Sequence, residues 1–566
     1  MSRHSDKITI ALATLFVFAC SPQAGITPAR TTSAITPDDV RLRIYAIADD
    51  SMQGRAAGGI GNVMMTDYVA REMRRLGLEP GGENGTYFQK IPMVQRFTDS
   101  SSTISVAGES LTPFTDFSLI RPSTSVRFAT SLPPGTYQTI YGGRAGDTTT
   151  ALTANDVNGR VIVFDAPLGT NGQPTAVVNV PAGWMIARYP GAAAMMINTT
   201  DVMTPGQQNQ ARGRSGGIAG PSTLVHTPLG ISISNRAAQK IMGQSISSLA
   251  PGARGRDVAL DLRFGEVPTP YPARNVIAIV RGSDPVLRNE FVQVSAHSDH
   301  LANSPRAVDH DSLKAYNMVM RPAGADARVG VAGTQTAAQT MRIQAIRDSL
   351  GKLHPPRRDS IYNGADDDGS GSTAVLEIAE NLASGPRPKR SIMLVWHTAE
   401  EAGLLGSWWL SEHTTVPHDS ITAVLNMDMV GRGERRDNVI GGPKHIEVIG
   451  SRRLSTELGD VIDSVNAKEP ASFDIDYSFD AKGQVQNRYC RSDHYMYART
   501  GIPIAYLSRG YHPDYHMLTD EPQYISYTGI ANVAQLVRDV AVSLANRGHR
   551  VQVDKPKPDP LAPCIQ

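Results

Sequence analysis

Four apolar runs in the second half of the chain end in side chains that can bind a cation or move a proton. FVQVSA leads into His297-Ser298-Asp299-His300. SIMLVW leads into His397 and then Glu400-Glu401. ITAVLN leads into Met427-Asp428-Met429. IPIAYLSRG leads into Tyr511-His512-Pro513-Asp514-Tyr515-His516. A fifth group, GADDDGSG at 364–371, opens a helical stretch. Each signal alone is weak, because a lone histidine is usually structural and acidic triplets are common in loops. Together, at strand ends, they are far more specific. Two imidazoles and three carboxylates brought to one place suit a pair of zinc ions with one carboxylate shared. Such a pair would also account for Glu400 and Glu401 standing side by side at the end of a buried strand. Adjacent carboxylates repel and are costly to desolvate unless one of them becomes a ligand.

The elements that must position these groups are legible in the pattern. NVIAIV, FVQVSA, SIMLVW, ITAVLNM and IPIAYL read as short buried strands. Helices alternate with them: in GSTAVLEIAENLAS, Val375, Leu376, Ile378, Ala379 and Leu382 share a face. This alternation argues an α/β fold, a mainly parallel mixed sheet flanked by helices, and in such sheets ligands gather at the carboxyl ends of the strands. Thr36-Pro37-Asp38-Asp39 reads as a helix start. A second helix is expected near 61–76, and a last one near 529–546. From 115 to 265, short β-like runs (RVIVFDAP, AAAMMINTT, GISISN) alternate with Gly/Pro/Thr-rich loops, which reads as a separate β-rich module.

The order H-x-D, G-A-x-D-x-x-S-G, E-E-x-G-L-x-G-S, N-x-D-M and Y-H resembles the co-catalytic zinc aminopeptidase family. Relatives in that family include glutamate carboxypeptidase II, the inactive transferrin receptor and glutaminyl cyclases. The stretch MQGRAAGGIGNVMMTDYVAREMRRLGLEPGG (52–82) resembles the family's N-terminal helix region, and 115–265 resembles the protease-associated domain inserted in many members. The resemblance implies two zinc ions: His297 and Asp428 on one, Glu401 and His516 on the other, and Asp367 bridging. It implies Glu400 as general base, Asp299 orienting His297 from behind, and a cis peptide after Asp367. Tyr515 would hydrogen-bond the oxyanion, or else merely pack. Arg491 would lie near bound carboxylates, or else form a structural ion pair. His300, His310, His397, His494 and His512 fall off the family's ligand positions and are expected outside the centre. The implied activity is hydrolysis of N-terminal residues from peptides. The alternatives are a carboxypeptidase or dipeptidase, a glutaminyl cyclase-like enzyme, or a non-catalytic receptor-like protein.

The resulting layout is 1–20 signal or lipobox segment, 21–36 tether, 37–114 first part of the peptidase domain, 115–265 inserted module, 266–548 main part, and 549–566 tail. The stretch 301–361 is an insertion that either borders the substrate cleft or decorates the surface. With 55 Lys+Arg against 54 Asp+Glu among 566 residues, no basic excess points to nucleic acid. Arg3 and Lys7 precede the apolar run at 8–19, which is too short to span a bilayer but suits an export signal. It ends in Val17-Phe18-Ala19-Cys20, which resembles a lipobox, so export is expected, with a lipid anchor at Cys20 the only membrane link. Cys490 and Cys564 either pair or remain free thiols.

Overall fold

The computed structural model describes residues 31–120, 132–147, 152–168, 172–176, 188–219, 228–327, 335–353, 355–434, 437, 441–484, 486–560, 564 and 566. The export segment therefore lies outside the described residues.

The main sheet has nine strands: β1 (Glu79–Pro80), β2 (Phe88–Ile91), β3 (Ala273–Val280), β4 (Phe291–His297), β5 (Ser391–His397), β6 (Ile421–Met427), β7 (His445–Ile449), β8 (Asp474–Asp476) and β9 (Ile504–Ser508). Their order is β1-β3-β5-β4-β6-β9-β7-β8, with β2 also on β3. The centre is parallel: β5 with β4, β4 with β6, and β6 with β9. Antiparallel pairs flank it, at β3 with β5 and at β9 with β7. The sheet is thus mixed, parallel where it carries the chemistry and antiparallel on either side.

Alternation along the strands sends side chains to two cores. Val276, Ala278, Val292, Val294, Leu394, Trp396, Ala423 and Leu425 face one of them. There they meet helices α1 (Pro37–Ile47), α2 (Ile60–Arg75), α3 (Gly369–Ser384) and α4 (Tyr527–Asn546). Ile277, Ile279, Met393, Val395 and Val424 face the other, under the helices Leu405–Glu412 and His494–Ala498. The Thr36 side chain accepts from the Asp39 N–H and starts α1 at Pro37. The Arg43 guanidinium, fully buried, joins Glu72 of α2 to Glu377 and Glu380 of α3. Sequence periodicity gives no hint of this link.

A second unit has its own core, with Ile104, Phe117, Val161, Met196, Ile231 and Leu260 in it. Its five-stranded sheet runs Phe117–Ile120, Leu229–Ile233, Ala194–Asn198, Val161–Asp165, Thr139–Arg144. A four-stranded sheet adds Glu109–Ser110 and Thr103–Val106 to Val258–Asp261 and Gly135–Tyr137. Its strands therefore begin before residue 115, where the change in composition begins. The 103–110 hairpin is too short to show a shift in texture. Cys490 and Cys564 form a disulfide. Among the described residues, no helix is long and apolar enough to cross a membrane.

Candidate metal centre and active site

The carboxyl ends of β4, β5, β6 and β9 lie along one edge of the sheet, so the loops after them face one depression. His297 is the last residue of β4, Asp428 follows β6, Glu400 and Glu401 follow β5, and His516 closes the loop after β9. Asp367 comes from the turn before α3. Ala399, Met429 and His516 all have left-handed backbone (φ 58°, 61° and 55°). Each is or adjoins a site residue, and each costs about 1–3 kcal/mol that the packing around it must offset. The sharp turns they make aim the site side chains into the depression.

The donor atoms fall into two groups that share Asp367. His297 Nε2 lies 3.1 Å from Asp367 Oδ1 and 3.7 Å from Asp428 Oδ1. His516 Nε2 lies 2.9 Å from Asp367 Oδ2 and 3.0 Å from Glu401 Oε2. One carboxylate oxygen thus serves each group. His297, Asp367 and Asp428 are almost wholly buried, whereas Glu401 and His516 are partly open. His297 Nε2, Asp367 Oδ2 and Glu401 Oε1 have no hydrogen-bond partner. Burial alone would lower the pKa of His297, but Glu400, Asp367 and Asp428 outweigh it and hold that imidazole well above its usual range. A buried pocket so rich in carboxylates and so short of counter-charge fits a pair of divalent cations.

Burial, with Glu401 and Asp428 nearby and only His297 opposing, pushes the Glu400 carboxyl well above the usual range. Its place in the cleft beside Asp367 and Asp428 suits a general base.

The surrounding scaffold is made largely of the other acids. Asp368 accepts from the backbone N–H groups of His297 (3.1 Å), Gly371 (2.8 Å) and Met429 (3.3 Å), tying β4, α3 and β6 together. Asp366 accepts from Gly431 N–H at 2.6 Å. Only the middle aspartate of the triplet faces the donors, and the Asp367–Asp368 peptide is cis. Asp299 meets His297 chiefly through its backbone rather than its carboxylate. Its carboxylate is 3.8 Å from His297 Nδ1 and instead accepts from the N–H groups of Glu400 (3.0 Å) and Glu401 (3.3 Å). Its backbone carbonyl, 3.0 Å from Nδ1, is what orients His297. The N-terminal stretch supports the same loops. The Arg55 guanidinium donates to the carbonyls of Asn363 and Gly364, and Asn62 meets Ser298 and Thr398.

Four of the five histidines expected outside the centre are tied up elsewhere. His397 lies 3.2 Å from Asp493 and 2.8 Å from the Tyr497 hydroxyl. His494 meets the Tyr489 carbonyl at 2.8 Å, and His512 lies 3.1 Å from Asp366. His310 forms a separate buried group with Asp359 and Glu521, where Arg357 already pairs with Glu521. His300 is the exception. It stands inside the group of Asp367, Glu401 and His516, a correction to the expectation that it lies apart.

Tyr515 and Arg491 line the cleft beside Glu400 and Asp428. The Tyr515 ring stacks on Tyr511 and His516, with centroids 4.5 and 4.0 Å apart. Arg491 pairs with Asp326 of the 301–361 insertion, and its NH2 lies 3.4 Å from the Tyr515 hydroxyl. The insertion also donates from Ala325 N–H to the Tyr515 carbonyl (3.0 Å), and Lys314 pairs with Asp514. It therefore packs against residues that line the cleft and holds the loop that carries Tyr515 and His516.

The chain is similar to several known proteins. Leucine aminopeptidase 1 of Arthroderma otae is 26% identical over 221 residues, covering 37% of this chain and 55% of the relative. That of Phaeosphaeria nodorum is 28% identical over 222 residues, covering 37% and 52%. The chain spans about half the length of these curated relatives. Among solved structures, a zinc aminopeptidase from Bacillus subtilis aligns with a TM-score of 0.45 and 17% identity, over 94% of this chain and all of that one. An aminopeptidase from Aneurinibacillus sp. strain AM-1 gives 0.45 and 14%, over 93% and 97%. The model of Peptidase family M28 matches residues 275–541. That span is just under half of the chain; it is similar to Peptidase family M28 and holds most of β3, all of β4 through β9, and the donors from His297 to His516.

Proposed function

We propose that this protein is a zinc-dependent aminopeptidase that hydrolyses N-terminal residues from peptides. The observation that carries this reading is the division of Asp367 between two donor groups, with Glu400 beside them. His297, Asp367 and Asp428 would hold one ion, and Asp367, Glu401 and His516 the other. Zinc bound there supplies Lewis acidity, which makes water a nucleophile near neutral pH and polarises a carbonyl. Glu400 takes the proton of the attacking water and returns it to the leaving amine. Burial, with Tyr511 alongside, keeps the Tyr515 hydroxyl protonated, so it can donate to the developing oxyanion. Arg491 is engaged by Asp326, and Arg488, also lining the cleft, by Glu447. Neither offers an uncompensated cation to a terminal carboxylate, which favours an aminopeptidase over a carboxypeptidase.

The test is a panel of free, amino-blocked and carboxyl-blocked peptides with the zinc-loaded protein. Release of the N-terminal residue from free and carboxyl-blocked peptides supports the reading. Cleavage of amino-blocked peptides from the carboxyl end overturns it.

The insertion's clasp is tested at Gly324. Its φ is +55°, and a Cβ there would fall 2.3 Å from the Tyr515 carbonyl oxygen. Gly324→Ala is expected to displace Tyr515 and lower kcat/KM by about ten- to a hundredfold. Because that carbonyl belongs to the peptide joining Tyr515 to His516, kcat/KM is compared at saturating zinc, with a stability loss of about 1–2 kcal/mol expected for the left-handed alanine. Unchanged kcat/KM in steady-state assays would mean that the clasp does not position Tyr515.

Export is part of the same proposal. It is supported by the basic-then-apolar segment before Cys20 and by the Cys490–Cys564 disulfide, a bond that persists in oxidising compartments. With a lipid anchor at Cys20, Cys20→Ser is expected to move from the membrane fraction to the soluble one. A variant that stays with the membranes as the parent does rules the anchor out.

A further inference from the structure

His300 is fully buried, and neither of its ring nitrogens has a hydrogen-bond partner. That leaves Nε2 with nothing to replace its hydration, at a cost of about 1–3 kcal/mol, while Nδ1 meets only a carboxylate. Its surroundings are built to admit it. Gly364 has φ +54°, and a Cβ there would lie 2.5 Å from His300 Cγ and Cδ2. The ring stands edge-on to that of His516, with centroids 5.7 Å apart. Nδ1 points into the second donor group, 2.7 Å from Glu401 Oε1 and 3.8 Å from Asp367 Oδ2. One donor atom each from His300, Asp367, Glu401 and His516 lies within 4.8 Å of all the others. Separations of this size suit four ligands around one ion with bonds of about 2 Å.

We propose that His300 is a further metal ligand, making the centre asymmetric: His300, Asp367, Glu401 and His516 on one ion, and His297, Asp367 and Asp428 on the other. This rests on the two-ion reading above. Four protein donors complete a tetrahedral shell, whereas three leave a position open. The His300 ion is then the tighter, structural one. The ion on the His297 side, with three protein donors, is the one that keeps a position for water or substrate.

The experiment is zinc K-edge X-ray absorption on the parent protein and on His300→Ala, with metal content measured after dialysis against graded chelator. The parent is expected to show three imidazoles shared between two ions, with one ion retained to much higher chelator concentration. His300→Ala should show two imidazoles and lose that difference, its tighter ion weakened by at least about tenfold. A parent with two imidazoles overturns the proposal, even if the variant fails to fold. So does a variant whose imidazole number matches the parent's, which would leave His300 only positioning Glu401. A parent that binds fewer than two zinc ions would instead bring down the two-ion reading itself.

Discussion

Glu400→Gln is expected to lower kcat by at least about a hundredfold while the protein keeps both zinc ions and its native melting profile. The substitution preserves shape and removes one capacity, that of accepting a proton. General-base action is worth about 10²–10⁴ in rate. The surroundings of Glu400 raise its proton affinity through burial and through Glu401 and Asp428. The residue has no place in either donor group, so metal content should not follow the loss of rate. The neighbouring Glu401→Gln is the control with the opposite signature. Glu401 touches both His516 and His300, so its loss should weaken one ion, and excess zinc should restore part of the activity. If both glutamates merely solvated a loop, neither variant would change much. Metal analysis and steady-state kinetics on the two purified proteins separate these outcomes, and near-normal kcat in Glu400→Gln would falsify the assignment of the base.

What could be read from the chain before folding is what is local. Buried strands announce themselves as short apolar runs, and the residue after such a run lies at the sheet edge wherever the strands are parallel. The gathering of His297, Glu401, Asp428 and His516 was therefore legible from four runs and their sequels. The acidic turn 366–368 was legible as a glycine-flanked helix start, but the choice of its middle aspartate came only from the family resemblance. What was not legible depends on contacts between segments far apart. His300 carries no local mark that separates it from His397 or His512; only the space left by Gly364, more than sixty positions on, admits its ring to the centre. The Asp299 carboxylate is two residues from His297 in sequence, which favoured a direct link, but the turn of the chain hands it to the N–H groups after β5. The link between Arg491 and Asp326 is of the same kind. An insertion of polar composition looks like surface decoration until its partners are known.

Asp514→Asn is expected to destabilise the protein by about 3–5 kcal/mol, the usual result of removing one partner from a buried ion cluster. Asp514 is fully buried, with Lys314 and Arg432 (2.8 Å) on one oxygen and the Thr519 hydroxyl (2.6 Å) on the other. Lys314 belongs to the insertion helix His310–Met320 and Arg432 to the loop after β6, so one carboxylate fastens three segments of the rim. Burial would raise its pKa, but Lys314 and Arg432 outweigh this and hold it well below the usual carboxylate range. The sign of the pH dependence follows. A folded-state pKa below the unfolded value of about 3.9 gives stability that is fully present above that value. It is lost only as pH falls through the lower folded-state pKa. The deficit of Asp514→Asn relative to the parent should thus be constant from about pH 5 to 8 and shrink in stronger acid. Burial also lowers the pKa of Lys314, so that ammonium can shed its proton once the aspartate is gone. The double variant Lys314→Met/Asp514→Asn should then recover part of the loss, as a coupled pair does in a mutant cycle. Because Tyr515 and His516 follow directly, zinc affinity should fall along with stability. Denaturant unfolding of the parent, both single variants and the double variant measures all of this. A loss below about 1 kcal/mol in Asp514→Asn, or single-variant losses that simply add, would mean that the insertion is held to the catalytic loop by something other than this pair.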